Sequence, residues 1–274
     1  MRSSPRNSLP SPLPPEQLAA AAIRGLALML DYDGTLAELV SDPARAVPVP
    51  GAAKLIDRIA GHRDRVRVAI VTGRRIEDLK RLITVDGNVV FFGVHGLEVC
   101  RADGKIAVDP EAAEYAADLD RVRAWLRVEV PQDRGFRIED KIFAIGLHSR
   151  EADPDEARPL NARFSLFVER ETPHLRALQL KMLVEAMPRI AGKDRAVARI
   201  KQMLPRTFVT AYIGDDTTDE AAFRALDGDD IGVLVGAAHE TYARYLLDGP
   251  REVIAQLRTI AESLDSRAGA RSRE

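Results

Sequence analysis

Four short apolar runs in this chain stop on the same kind of punctuation, and that recurrence restricts the fold more than any other feature. LALML (Leu26–Leu30) runs into DYDGTL, VRVAIV (Val66–Val71) into TGR, VVFF (Val89–Phe92) into GVHG, and FVTAYI (Phe208–Ile213) into GDDTTDE. Apolar runs of this length without polar alternation are strands buried on both faces, as in a parallel sheet covered by helices. Helical spacing lies between them: Leu55, Ile56, Ile59 and Ala60 share one face of Gly51–His62, and Arg75–Ile83 reads as a second helix. Strands alternating with helices give an α/β fold, in which ligands sit beyond the carboxyl ends of the strands. The polar ends of the runs are therefore where chemistry is expected.

The rhythm changes after Leu97. A hairpin signal at Asp103-Gly104 leads to a helix near Glu111–Arg127, a strand near Ile142–His148, a helix near Pro154–Glu169 and strand-like segments through Glu185. The α/β pattern then resumes with a helix from Lys193 to Met203, strands at Phe208–Gly214 and Ile231–Gly236, and a closing helix at Pro250–Ser263. The expected organisation is a catalytic core of residues 21–105 and 188–265 interrupted by a cap of residues 106–187, with flexible ends at 1–20 and 266–274.

Composition excludes several partners. Lys+Arg of 40 against Asp+Glu of 42 leaves a formal charge of -2, so no global basic field suits nucleic acid or an anionic membrane. The one cysteine, Cys100, allows neither an internal disulfide nor a cysteine-rich zinc site, which fits a cytoplasmic protein. Residues 1–16 lack the apolar stretch of a signal peptide, and no run reaches the roughly 20 apolar residues that span a bilayer. There is no P-loop. A monomer acting on a small molecule is expected.

Asp31 and Asp33 are two positions apart in an extended segment, so both carboxylates face the same way. GDDTTDE places Asp215, Asp216, Asp219 and Glu220 at the end of a second strand that can lie beside the first. Several carboxylates at one point, without His or Cys, call for a hard divalent cation such as Mg²⁺.

In that order, DYDGTL, VTGR, a lysine opening a later helix and GDDTTDE resemble the four motifs of the haloacid dehalogenase (HAD) superfamily of phosphotransferases. The resemblance spans nearly the whole chain after residue 25. It implies a Rossmann-like parallel-sheet HAD core with an inserted α/β, C2-type cap. It also implies that Asp31 is the nucleophile, forming an aspartyl-phosphate, and that Asp33 is the general acid and base. Thr72 and Lys193 would hold the phosphoryl oxygens and keep Asp31 ionised. Asp31, the Asp33 carbonyl and Asp215 would hold Mg²⁺, with Asp216 or Asp219 as the further ligand.

Finer segments resemble the trehalose-6-phosphate phosphatase family: GVHGLE (Gly93–Glu98), EDKIFAIGLHSR (Glu139–Arg150) and KMLVE (Lys181–Glu185). This resemblance implies substrate contacts from Gly73, Arg74, His95, Glu98, Lys141, His148, Arg150, Lys181 and Glu185, the last two on one face of a shared strand. Asp194 follows Lys193 where the family usually has glycine, and Ser149 stands where tyrosine is usual. The implied activity is Mg²⁺-dependent hydrolysis of trehalose 6-phosphate. The alternatives are another sugar phosphate (a glucosyl- or mannosyl-3-phosphoglycerate, or sucrose phosphate) and a sugar-phosphate sensor without catalysis.

Overall fold

The computed structural model of this protein describes residues 9–271, apart from 41, 102 and 181. Its first part contains β1 (Ser11–Pro12), α1 (Gln17–Arg24), β2 (Leu26–Asp31), α2 (Ala52–Ala60), β3 (Val66–Val71), α3 (Ile76–Leu82), β4 (Val89–Gly93), β5 (Glu98–Cys100) and β6 (Ile106–Val108). The middle holds α4 (Ala116–Glu129), β7 (Arg137–Asp140), β8 (Ile145–His148), α5 (Pro154–Glu171), β9 (Leu175–Leu180) and β10 (Leu183–Pro188). The last part adds α6 (Lys193–Met203), β11 (Val209–Gly214), α7 (Glu220–Arg224), β12 (Ile231–Val235), β13 (Tyr245–Leu247) and α8 (Pro250–Arg271). Two compact units result: residues through Ala107 together with those from Gly192 onward, and Val108–Ala191.

The first unit is built on a nine-stranded sheet in the order β1-β13-β12-β11-β2-β3-β4-β5-β6. The contacts from β1 through β4 are parallel, and β5 runs antiparallel to β4. Alternation within each buried run divides its side chains between the two faces. Leu26, Leu28 and Leu30 of β2 join Val68, Ile70, Ala211 and Ile213 under α1, α2 and α8. Ala27 and Met29 join Ala69, Val71 and Tyr212 on the other face, with Ala196, Val197 and Ile200 of α6. Both faces are dry, which explains why the runs carry no polar alternation. The expected α/β fold with a large parallel sheet is present.

The N-terminal part departs from expectation. The extension anticipated through residue 20 is structured from β1 onward: β1 pairs with β13, Leu13 is buried, and Leu18 of α1 is completely covered. At the other end α8 continues through residue 271, past the expected start of a tail at 266.

The second unit is a four-stranded sheet in the order β7-β8-β10-β9, antiparallel throughout. Ile145, Leu147, Val184 and Ala186 pack on one face against Leu119, Val122, Phe164 and Val168 of α4 and α5. Trp125 stacks on Phe164 and Phe167 at centroid distances of 5.4 and 5.3 Å. Two expectations are corrected here. The strand expected near Ile142–His148 begins only at Ile145, because β7 ends at Asp140 and the chain reverses through Ile142 at φ 70° before β8. The strand carrying Glu185 begins only at Leu183, after Met182 at φ 59°, so one strand does not span positions 181–185. Lys181 itself lies outside the described residues. Among those residues no helix is long and apolar enough to cross a membrane.

Candidate active site

Sheet register assembles the site. Ile213 pairs with Leu30 on one side of β2, and Val71 pairs with Asp31 on the other. The ends of β2, β3 and β11 are therefore adjacent, which brings Asp31, Thr72 and Asp215 together although they are far apart in the chain. Asp31 is in phase with Ala27 and Met29, so it belongs to the face covered by α6.

Lys193 opens α6 and is buried, as is Asp31. Its Nζ lies 2.8 Å from Asp31 Oδ1 and 2.7 Å from Asp219 Oδ1. Burial alone would push the ammonium pKa down, but Asp219 and Asp31 outweigh it and hold Lys193 above its ordinary value. Asp31 moves the other way relative to its charged form. Burial, with help from the Asp219 and Asp215 charges, raises its pKa well above the ordinary carboxylate value despite Lys193. Burial and Asp219 also push Asp215 up to about 7.

One ligand oxygen from each of Asp31, Asp215 and Asp219 lies within 4.8 Å of the others. Asp219 is already saturated by protein donors: Lys193 and the Tyr212 hydroxyl reach Oδ1, and the Asp215 and Asp216 amides donate to Oδ2 at 3.2 and 3.0 Å. Asp215 Oδ1 is buried and has no hydrogen-bond partner. Three carboxylates against one ammonium, two of them with raised pKa values and one with an orphaned oxygen, are the pattern a hard cation would complete. The donor set therefore fits a divalent metal at Asp31 and Asp215.

Asp216 was expected among the metal residues. The structure does not bring it into this cluster: Asp216 Oδ1 accepts from the Thr217 amide at 2.6 Å and caps the short turn that follows. The acid that bends back is Asp219. Gly34, at φ 78°, is held close by the same cluster, since a Cβ there would lie 2.0 Å from Asp215 Oδ2.

Asp33 is gripped by Arg74, whose Nε and Nη2 donate to its two oxygens at 2.7 and 2.6 Å. This fork-to-carboxylate pair fixes the orientation of both groups. Arg74 also lies 5.7 Å from the Tyr32 ring centroid. Thr72 Oγ1 accepts from the Arg74 amide at 3.1 Å, which leaves its hydroxyl hydrogen to donate. The Thr72 and Arg74 amides are both engaged, so Gly73 supplies the amide of this turn that an incoming oxygen could use.

His95 is buried with its ring against Gly73. Its amide donates to the Thr72 carbonyl at 3.1 Å, and its carbonyl accepts from Gly192 just before Lys193. It thus ties the Thr72 turn to the start of α6. Glu98, expected as a substrate contact, is buried and turned elsewhere. Its Oε2 accepts the Ile76 amide at 2.8 Å, capping α3, and Oε1 lies 3.5 Å from Arg75 Nε. Asp194 does not displace Lys193: its carboxylate folds over Gly192 while Lys193 keeps its 2.8 Å reach to Asp31.

In the second unit Glu139 and Glu185 both stand opposite Gly146, on strands either side of β8. Lys141, on the hairpin turn, donates to Glu185 Oε1 at 2.5 Å and lies 4.0 Å from Glu139. His148 Nε2 lies 2.7 Å from Glu139 Oε2. Burial would raise the Glu139 pKa, but the His148 hydrogen bond and the Lys141 charge outweigh it and hold it below its ordinary value. Glu139 was absent from the expected site residues; its two-residue spacing from Lys141 was the available signal. Arg150 is exposed in the turn after β8. Ser149 is buried and bonded to Asn161 of α5 at 3.0 Å, so this departure from the usual tyrosine lies on the covered side of the sheet.

The chain was compared with known proteins. Residues 29–251 match the family model for trehalose-phosphatase. A trehalose 6-phosphate phosphatase of Zea mays is 31% identical over 270 residues, covering 91% of this chain and 73% of that protein. A trehalose-phosphate phosphatase of Mycobacterium marinum is 28% identical over 249 residues, and the match spans 88% of this chain but only 62% of that longer protein. Among solved structures, the C-terminal domain of the Candida albicans trehalose-6-phosphate phosphatase superposes with a TM-score of 0.81 at 22% identity, over 93% of this chain and 99% of that one, a likeness of fold. With the family model matched from β2 to the start of α8 and a relative above 30% identity along most of its length, this chain belongs to the trehalose-phosphatase family.

Proposed function

We propose that this protein hydrolyses trehalose 6-phosphate to trehalose and inorganic phosphate, with Asp31 as nucleophile and Mg²⁺ as its metal. The observation that carries the chemistry is Lys193 Nζ at 2.8 Å from a buried Asp31, beside an Asp215 oxygen that no protein donor satisfies. The names of the matched relatives support the substrate.

Asp31 Oδ attacks phosphorus while the bond to the sugar oxygen breaks, and Asp33 delivers the proton that oxygen needs. Asp33 then takes a proton from the water that attacks the aspartyl-phosphate, releasing phosphate and restoring Asp31. Thr72 Oγ–H, the Gly73 amide and Lys193 offset charge on the phosphoryl oxygens. Mg²⁺, held by Asp31, Asp215 and the Asp33 carbonyl, would supply the further positive charge that lets an anionic nucleophile meet an anionic ester. His95 positions the Thr72 turn, and Arg74 orients Asp33. We assign sugar recognition to the second unit. Glu139, Lys141, His148 and Glu185 offer charged donors and acceptors suited to the hydroxyls of a neutral disaccharide. Arg150 and Lys181 belong to the same assignment.

Released phosphate measured over a panel of trehalose 6-phosphate, sucrose phosphate and the phosphoglycerate glycosides tests this reading. The expected result is a kcat/KM for trehalose 6-phosphate at least about tenfold above the others, the scale of one net hydrogen bond. Equal rates across the panel would defeat the substrate assignment. Ligand binding without turnover in Mg²⁺ would mean a sensor.

A further inference from the structure

Tyr212 is a buried polar group that the reaction above does not use. It lies in the middle of β11, completely covered, on the face shared with Met29 and the apolar side of α6. Its ring meets Phe223 edge-on at 5.6 Å and 85°. Phenylalanine would pack the same way, so the hydroxyl asks for a separate explanation.

That hydroxyl donates to Asp219 Oδ1 at 2.6 Å. The same oxygen accepts from Lys193 Nζ at 2.7 Å, and Lys193 Nζ lies 2.8 Å from Asp31 Oδ1. Lys193 is thus one cation between two buried carboxylates, and the phenol competes with it at only one of them. We propose that Tyr212 is a positioning residue that, by sharing Asp219 Oδ1, keeps the Lys193 ammonium divided between Asp219 and the nucleophile Asp31. Burial first, and then the Asp219 charge, hold the phenol well above its usual pKa, so it stays a neutral donor throughout the working range.

Without the hydroxyl, Asp219 keeps its two backbone donors, so the turn that aims Asp215 persists. Its Oδ1 then draws Lys193 away from Asp31, because a fully buried carboxylate with an unmet acceptor is strongly unfavourable. Asp31 would meet the phosphate with less compensating charge. Metal binding, by contrast, would not weaken, since the ammonium that competes for Asp31 has moved off.

This inference rests on the proposed phosphatase reading. Tyr212→Phe is compared with the parent and with Phe223→Leu, a packing control on the neighbouring ring. The expected result for Tyr212→Phe is a kcat for trehalose 6-phosphate about tenfold lower, as for loss of one buried hydrogen bond. KM should stay within about twofold, and Mg²⁺ affinity by calorimetry should be unchanged or tighter. Phe223→Leu should lower the Tm while the folded protein keeps its kcat. An unchanged kcat in Tyr212→Phe overturns the inference. So does a joint fall of kcat, Mg²⁺ affinity and Tm, which is the signature of a merely structural tyrosine. A crystal structure of Tyr212→Phe in which Lys193 still bridges both carboxylates overturns it whether or not the parent is a phosphatase. A parent that releases phosphate from no ester counts against the proposed function, and the crystal structure then decides the role of Tyr212 by itself.

Discussion

Lys193→Met tests the electrostatics of the core most directly. The substitution keeps an unbranched side chain on α6 and removes the ammonium that lies between Asp31 and Asp219, at 2.8 and 2.7 Å. Asp219 is fully buried and Asp31 only 4% exposed, so solvent cannot replace the lost charge. Breaking a buried pair by removing one partner costs about 3–5 kcal/mol, and that is the loss expected in metal-free protein near pH 7.5. The penalty should shrink as pH falls, because the orphaned acids take up protons. Lys193 itself does not set this window: its pKa is raised, so its contribution is fully present below its ordinary value and is lost only at more alkaline pH. Adding Asp219→Asn should return roughly 2 kcal/mol, as the most buried of the uncompensated charges is removed. The single tryptophan, Trp125, lies in the second unit, so its fluorescence does not report on this change. Hydrogen exchange at the amides of β2 and β11, read with a chelator present, does. A loss below about 1 kcal/mol, or a double variant no more stable than Lys193→Met, would refute the view that one ammonium holds these acids together.

Three further outcomes follow from the same geometry. The Asp215 pKa is pushed up to about 7, so the native state binds more protons than the unfolded chain; metal-free stability should fall as pH rises from about 4 to 7, by up to roughly 4 kcal/mol, and Mg²⁺ should restore it at pH 7.5 but not at pH 5. A Tm that is flat from pH 5 to 7.5 in chelator, or a slope in Asp215→Asn as steep as the parent's, contradicts this, since the raised pKa of Asp31 accounts for only part of the dependence. Gly34→Ala would put a Cβ 2.0 Å from Asp215 Oδ2 at a φ of 78°, and at least about a hundredfold loss of phosphate release is expected, since an ångström of misplacement has that effect; near-parental activity would mean the turn relaxes freely. Arg74→Lys keeps the charge but not the two-pronged grip on Asp33, and should lower kcat about tenfold with KM little changed. A rise in KM alone would instead make Arg74 a substrate contact and nothing more.

Most of the core was legible because its strands are buried on both faces. A run such as VRVAIV has few other places to go, and parallel register puts the residues after such runs side by side. That is why Asp31, Thr72 and Asp215 could be grouped from the sequence. The failures have specific causes. Asp216 and Asp219 are both acids in one tight turn, and which of them bends back depends on dihedral angles that composition does not encode. The reversal after β7 passes through Ile142 at φ 70°, a conformation that a β-branched residue rarely adopts, so the sequence starts a strand at Ile142 where the chain in fact turns. The proline-rich start reads as linker, yet β1 is an edge strand, where a proline without an amide is tolerated. Tyr212 gave a fainter sign, a phenol beside Thr210 in an apolar run.

The spacing of the second acidic motif has a physical explanation in Asp219. Four residues after Asp215, the short turn Thr217–Asp219 brings this carboxylate back beneath the end of β11, where a Cβ on Gly214 would stand 2.3 Å from its Cγ. A side chain at 214 would exclude it. In that position one carboxylate can accept from the Asp215 and Asp216 amides on one oxygen and from Tyr212 and Lys193 on the other. The first pair of bonds fixes the backbone that carries Asp215, and the second fixes the cation that faces Asp31. A longer or shorter interval would break one pair or the other. The acid that touches neither phosphate nor, on this account, metal is therefore the one that sets the distance between the nucleophile and its charge partner. Its replacement by asparagine should disturb metal binding and turnover together, whereas loss of Tyr212 alone should separate them.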